Sequence, residues 1–246
     1  MYVYRFRGSR GNIDVEDLFR LFLIDTFNSE FMYIISPWVT SFRLTKKVIY
    51  YPFISSYSVV DILNALKDNG VKVFLLTRCF DDALSPDVVY ILYKIKEGSI
   101  RLSPALYKFL RNQVNFMYRR LEYVEKIIGT GINCKFDIGV QDRESQFRLH
   151  AKIYVNDKYA LLGSANFTRS GIVRGGHWEC LVRINSDSKI YYKILESAIK
   201  LYNAGRSYEE CLRRITYLVT THFGDNVKIN GIQDIKNLLK ELLYSQ

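Results

Sequence analysis

The stretch LHAKIYVNDKYALLGSANFT, residues 149–168, decides how this chain is read. Asn156-Asp157-Lys158 separates two apolar runs, and polar triplets in that setting predict a chain reversal. On an extended strand, residues two apart share a face. His150, Lys152 and Tyr154 therefore share one face, and Leu149, Ala151, Ile153 and Val155 the other, apolar one. An antiparallel register across the turn places Ser164 roughly opposite His150 and Asn166 just beyond. A nucleophile, a cation and two polar donors then meet at one end of a hairpin. Such a cluster can hold a phosphate and attack it.

Upstream, residues 15–27 read as an amphipathic helix, and FMYIISPWV (31–39) as a buried strand ended by Pro37. Residues 58–69 form a helix with Val59, Ile62, Leu63 and Leu66 on one face and Gly70 as its stop. Residues 71–77, VKVFLLT, are near-continuously apolar, as buried parallel strands are. Strand, helix and strand make a βαβ unit.

A short helix is expected over residues 86–96 and a longer one over 104–128. In the longer one, Leu106, Leu110, Val114, Met117, Leu121, Val124 and Ile128 repeat at helical spacing. Its other face carries Lys108, Arg111, Arg119 and Lys126, either a solvated surface or a basic rail for a phosphate backbone. Further strands are expected at 134–140 and 178–184, and a helix at 188–203. Two more helices, 208–221 and 232–244, form a C-terminal extension that either covers the core or meets another subunit.

The motif residues resemble the signature of the phospholipase D superfamily: H-x-K, four residues, D, a spacer, then G-S-x-N. His150, Lys152, Asp157, Gly163, Ser164 and Asn166 occupy those places. The spacer after Asp157 is one residue shorter than the family's, so either Asp157 or Asn156 fills the acidic position. The resemblance runs from about Phe31 to Tyr202. It implies an α/β fold, a mixed β-sheet flanked by helices on both faces, with a catalytic domain over 1–204 and a helical extension over 205–246.

The resemblance also implies chemistry. Neutral imidazole is a good nucleophile, so His150 attacks phosphorus and forms a phosphohistidine. Lys152, Ser164 and Asn166 hold the non-bridging oxygens. Glu179 accepts from the imidazole N–H, as the third member of a triad does. Arg148 and Arg169, beside the motif, join Arg111, Arg119 and Lys126 as substrate-binding candidates. The second displacement needs a second acid or base. His177 and His222 stand in no H-x-K setting, so a homodimer meeting through the motif face is expected to supply the partner's His150.

Composition narrows the class. With 48% hydrophobic residues the chain is an ordinary folded protein, and its net charge of +10 favours acidic partners. The absence of a long apolar run or leader-like start leads to the expectation of a soluble cytoplasmic protein with no membrane partner. Cys79, Cys134, Cys180 and Cys211 are scattered and are expected as buried thiols. No metal site or cofactor is expected, since neither the three histidines nor the cysteines show ligand spacing. Residues 8–11 resemble a phosphate turn only loosely, and the carboxylates Asp142 and Glu144 lack the lysine of a metal nuclease.

The resulting expectation is a metal-independent DNA or RNA endonuclease. The alternatives are a silent nucleic-acid-binding or assembly module of a defence or repair complex, and a phospholipid hydrolase.

Overall fold

The computed structural model describes residues 2–5, 14–52, 54–79, 90–91, 93–95, 97–139, 148–173, 175, 178–223 and 230–244. Residues 8–11, Asp142, Glu144 and His177 lie outside these, as do the side chain of His222 and most of the helix expected over 86–96.

Two compact units emerge, one from residues 1–78 and 126–205, the other from 79–125 and 206–246. The first contains a seven-stranded sheet. In chain order its strands are β1 (Tyr2–Arg5), β2 (Phe31–Ile35), β5 (Lys72–Arg78), β6 (Asn133–Asp137), β7 (Ile153–Asn156), β8 (Tyr159–Gly163) and β9 (Cys180–Asn185). A separate two-stranded sheet pairs β3 (Arg43–Tyr50) with β4 (Ile54–Ser58). The spatial order is β1-β9-β8-β7-β2-β5-β6. β2, β5 and β6 run parallel, and β7, β8, β9 and β1 continue the sheet antiparallel from β2.

Helices cover both faces. On one, α1 (Val15–Thr26) and α2 (Val59–Asp68) bury Phe19, Phe22, Ile62 and Leu66 against Met32, Ile34, Val73 and Leu75. α2 starts where Ser58 accepts from the Asp61 N–H, and Gly70 follows with a φ of +84°, the left-handed value a helix stop favours. On the other face, α5 (Lys189–Ala204) packs Tyr191, Ile194, Ala198 and Tyr202 against Ile35, Leu76, Val155 and Ala160. The period-two alternation in the hairpin holds: Tyr154 belongs to the first core, Leu149, Ile153 and Val155 to the second.

The second unit differs from the expected division at 204/205. Residues 79–125 group with the C-terminal helices α6 (Tyr208–Phe223) and α7 (Ile232–Tyr244). A disulfide between Cys79 and Cys211 joins the two segments, as do a Lys236–Glu125 ion pair at 2.8 Å and a bond from the Tyr118 hydroxyl to the Lys236 carbonyl. Cys79 and Cys211 are thus not the thiols expected from sequence, because folding brings positions 132 residues apart to a Cα separation of 5.8 Å. Cys134 and Cys180 are free thiols, and burial pushes Cys134 up to about 12. The long helix α3 (Pro104–Ile128) has its expected bounds and buries Leu110, Val114, Leu121 and Val124.

At the hairpin turn Asn156 is wholly buried. Its Oδ1 accepts from the N–H groups of Lys158 and Tyr159, each at 3.0 Å, and its Nδ2 donates to Thr26 at 3.1 Å. The neighbouring Asp157 accepts one bond, from the Glu30 N–H at 2.9 Å. Asn156→Ala is therefore expected to cost about 2–3 kcal/mol by leaving buried donors unpaired, and Asp157→Ala about 1 kcal/mol or less. Urea denaturation of the two variants checks the order.

Candidate active site

β7 begins only at Ile153, so His150 and Lys152 lie just before the paired strand, not within it as the sequence pattern suggests. His150 is exposed, and Lys152 is 9% exposed. The Lys152 ammonium sits 3.1 Å from His150 Nε2 and 3.3 Å from Nδ1, and donates to the His150 carbonyl at 2.8 Å. With both ring nitrogens at nearly equal distance, the ammonium stands against the ring as a whole and not on one lone pair.

The Gly163-Ser164-Ala165-Asn166 segment comes alongside from β8. A Cβ at Gly163 would lie 1.8 Å from the Cys180 carbonyl oxygen, so only glycine lets β8 close onto β9 here. Ser164 donates its N–H to the Cys180 carbonyl and receives the Cys180 N–H on its hydroxyl, each at 3.1 Å. That hydroxyl donates to the Glu179 carboxylate. Glu179 was expected on the imidazole N–H; in the structure its carboxylate accepts from the Ser164 hydroxyl, and Lys152 meets the ring. The charges remain coupled, since Glu179 is close enough to raise the Lys152 pKa.

Burial is the larger influence on Lys152 and lowers its pKa, and the nearby Arg78 lowers it further. Arg78 was not foreseen, nor was Asp137. They end the parallel strands β5 and β6, the end of an α/β sheet where ligand sites gather. Arg78 Nε donates to the Leu149 carbonyl at 2.7 Å, and its guanidinium lies 5.6 Å from the Trp38 ring centroid. Asp137 Oδ2 accepts from the Leu149 N–H at 2.7 Å. A cavity of about 310 Å³ opens beside these groups, lined by Asp137, Arg148, Leu149, His150 and Ala151 and floored by Leu76 and Leu201.

Asn166 is half-buried, and its Oδ1 is buried without a partner among the described residues. Its loop is tied down on both sides. Phe167 N–H donates to Ser36 Oγ at 3.0 Å, the Thr40 N–H donates to the Phe167 carbonyl at 3.0 Å, and Tyr154 donates to the Ala165 carbonyl at 2.7 Å. The short helix α4 (Arg169–Ile172) follows, capped by Thr168.

Asp157 does not join this cluster. It stands at the turn, the opposite end of β7 from Lys152, and its bond to Glu30 makes it a fastener of the hairpin. Arg148 lines the cavity, while Arg169 is exposed beside the Asn166 loop. Arg111, Arg119 and Lys126 are exposed along α3. Among the described residues no group of His, Cys, Asp or Glu is arranged to hold a metal ion, and no helix is long and apolar enough to cross a membrane.

The family model described as "Cardiolipin synthase, PLD-like domain" matches residues 44–201, more than half of the chain and all of the cluster above. Among solved structures the chain is similar to NucT from Helicobacter pylori, with 14% identity, a TM-score of 0.45 and coverage of 84% of this chain and 98% of that one. It is also similar to Nuc from Salmonella typhimurium, described as a phospholipase D family member, with 18% identity, a TM-score of 0.41 and coverage of 84% and 96%. No curated protein matches it by sequence.

Gly171 sets how close α4 comes to the Asn166 loop, since a Cβ there would lie 2.4 Å from the Asn166 carbonyl oxygen and 2.8 Å from its nitrogen. Gly171→Ala is expected to push that loop outward while sparing the distant strands. In amide NMR spectra, signals from residues 164–168 should shift and those of β2 and β5 should stay.

Proposed function

Because the chain belongs to the phospholipase D-like family, we propose that it is a metal-independent phosphodiesterase, an endonuclease that cleaves DNA or RNA at a site shared across a homodimer. The carrying observation is the cluster itself: an imidazole against a buried ammonium, beside Ser164, Glu179 and Asn166.

In the first step a ring nitrogen of His150 attacks phosphorus, the P–N bond forms and the P–O bond to the leaving group breaks. The leaving oxygen takes a proton from the partner's His150. Water then attacks the phosphohistidine, gives its proton to the partner's His150, and the P–N bond breaks. Lys152 moves from imidazole to a non-bridging oxygen as phosphate arrives, which frees the nucleophile and neutralises charge. Preorganised donors such as Lys152 and Asn166 are each worth about 3–4 kcal/mol in the transition state. Glu179 holds Ser164 and offsets the lysine charge.

Nucleic acid is the substrate class favoured by the net charge of +10 and by Arg148 at the cavity. Arg169 is exposed beside the Asn166 loop, and Arg111, Arg119 and Lys126 are exposed along α3.

Cleavage of bis(p-nitrophenyl) phosphate and of DNA or RNA is expected to persist in EDTA. His150→Ala should lower turnover by about 10⁴-fold or more, the scale for loss of a covalent nucleophile. Full activity in that variant would sink the proposal, and so would headgroup release from cardiolipin vesicles with no nucleic acid cleavage.

A pH profile tests the lysine. Activity needs Lys152 charged, so it is lost as pH rises through the lowered Lys152 pKa, below the ordinary lysine range. Glu179 raises that pKa, so Glu179→Gln should move the alkaline limb of kcat/KM to lower pH. A limb that stays in place or moves upward contradicts the coupling.

A further inference from the structure

Among the described residues, the peptide that leads into His150 pairs with no strand. β6 ends at Asp137 and β7 starts at Ile153, and Leu149 lies outside both ladders. Yet Leu149 is buried, at 8% exposure. Buried peptide groups need partners, and an unmet one costs about 1–3 kcal/mol.

Leu149 finds both partners in side chains. Its N–H donates to Asp137 Oδ2 and its C=O accepts from Arg78 Nε, each at 2.7 Å. Arg78 and Asp137 are register partners, side by side at the ends of parallel strands. The sheet therefore holds two opposite charges at a fixed spacing, and they grip the two polar groups of one residue. The Leu149 side chain is anchored in the α5-side core. Each clamp residue is itself fixed: Asp137 Oδ1 accepts from the Gly139 N–H at 3.2 Å, and the Arg78 guanidinium lies by the Trp38 ring. The Trp38 carbonyl in turn accepts from Ser36, whose oxygen also receives the Phe167 N–H beside Asn166. Through Trp38 and Ser36, the histidine side of the site shares an anchor with the asparagine side.

We propose that Arg78 and Asp137 are positioning residues for His150: by clamping the Leu149 peptide they set the point from which the imidazole reaches phosphorus. The proposal rests on the phosphodiesterase reading. His150 is exposed, so the core does not pin its ring and its place follows from its backbone. A displacement of about 1 Å in such a group costs about 10²-fold in rate. The clamp acts through the Leu149 peptide. Its loss acts on turnover and leaves binding in place.

The test compares Asp137→Ala, which removes the acceptor, with Asp137→Asn, which keeps a carbonyl oxygen there. Amide exchange at Leu149, kcat and KM on bis(p-nitrophenyl) phosphate, and thermal unfolding are measured for each. Asp137→Ala should speed Leu149 exchange and lower kcat by about 10²-fold while KM stays within about threefold. Asp137→Asn should restore exchange protection and recover at least about tenfold of the lost kcat. Should Asp137→Ala fail to fold, Arg78→Ala reads the same clamp from the carbonyl side, with the same fall in kcat expected. Exchange that does not change, a kcat that holds although protection is lost, or an effect on KM alone would each overturn the clamp. If the unaltered protein cleaves no phosphodiester, the functional reading falls by itself. The clamp is then judged on the His150 ring signals in NMR, expected to split or broaden in Asp137→Ala and to recover in Asp137→Asn. Ring signals that stay unmoved overturn it.

Discussion

A single buried hydroxyl joins the two halves of the site. Tyr154 has no exposed surface, and its O–H donates to the Ala165 carbonyl at 2.7 Å. Burial drives its pKa far above the ordinary tyrosine value, so the phenol stays a donor at any working pH. Tyr154 lies two residues beyond Lys152 and four beyond His150, while Ala165 stands between Ser164 and Asn166. This bond therefore spans from the segment that follows His150 and Lys152 to the loop that carries Ser164 and Asn166. Phe19, Phe22 and Phe167 pack around the ring, Phe19 edge-on at 5.2 Å. An aromatic core with one polar exit can accept Tyr154 in only one direction, and that direction points at the site.

The glycines give the same constraint a steric form. Without a side chain at Gly163, β8 meets β9 closely enough for Ser164 to bond Cys180 through both backbone and hydroxyl, and for that hydroxyl to reach Glu179. Without one at Gly171, α4 lies against the Asn166 backbone. A motif glycine here acts through the space it leaves, and the polar residues around it inherit their positions from that space.

Much of this could be read from the chain. Alternation in residues 149–155 correctly divided the hairpin between two cores, and helical spacing set the bounds of α3 and α7. At the turn the Asn156 side chain makes three bonds where that of Asp157 makes one among the described residues. What stayed hidden was non-local. The β3–β4 sheet has mostly exposed or half-buried residues and so lacks a hydrophobic period to betray it. Cys79 and Cys211 become neighbours only through tertiary folding. Arg78 and Asp137 lie 59 positions apart, and only the β5–β6 register makes them a pair. Strand-end position was the available clue, since parallel sheets gather ligands at their carboxyl ends.

The electrostatics of the cluster favour an anion on grounds separate from the motif. Lys152 is nearly buried, which penalises its charge, and Arg78 adds a like charge nearby. The Glu179 carboxylate opposes both influences, and it accepts from the Ser164 hydroxyl. Asp137 spends its oxygens on the Leu149 and Gly139 peptides. The lysine is thus held at an electrostatic cost that the resting protein does not fully offset. In the reaction proposed above, a phosphate diester entering beside it supplies the missing negative charge, and that charge grows on the non-bridging oxygens as His150 bonds to phosphorus. Interaction that strengthens along the reaction lowers the barrier, whereas a lysine already neutralised by a close carboxylate would have little left to give. Incomplete pairing of Lys152 is therefore the feature on which the proposed reaction draws.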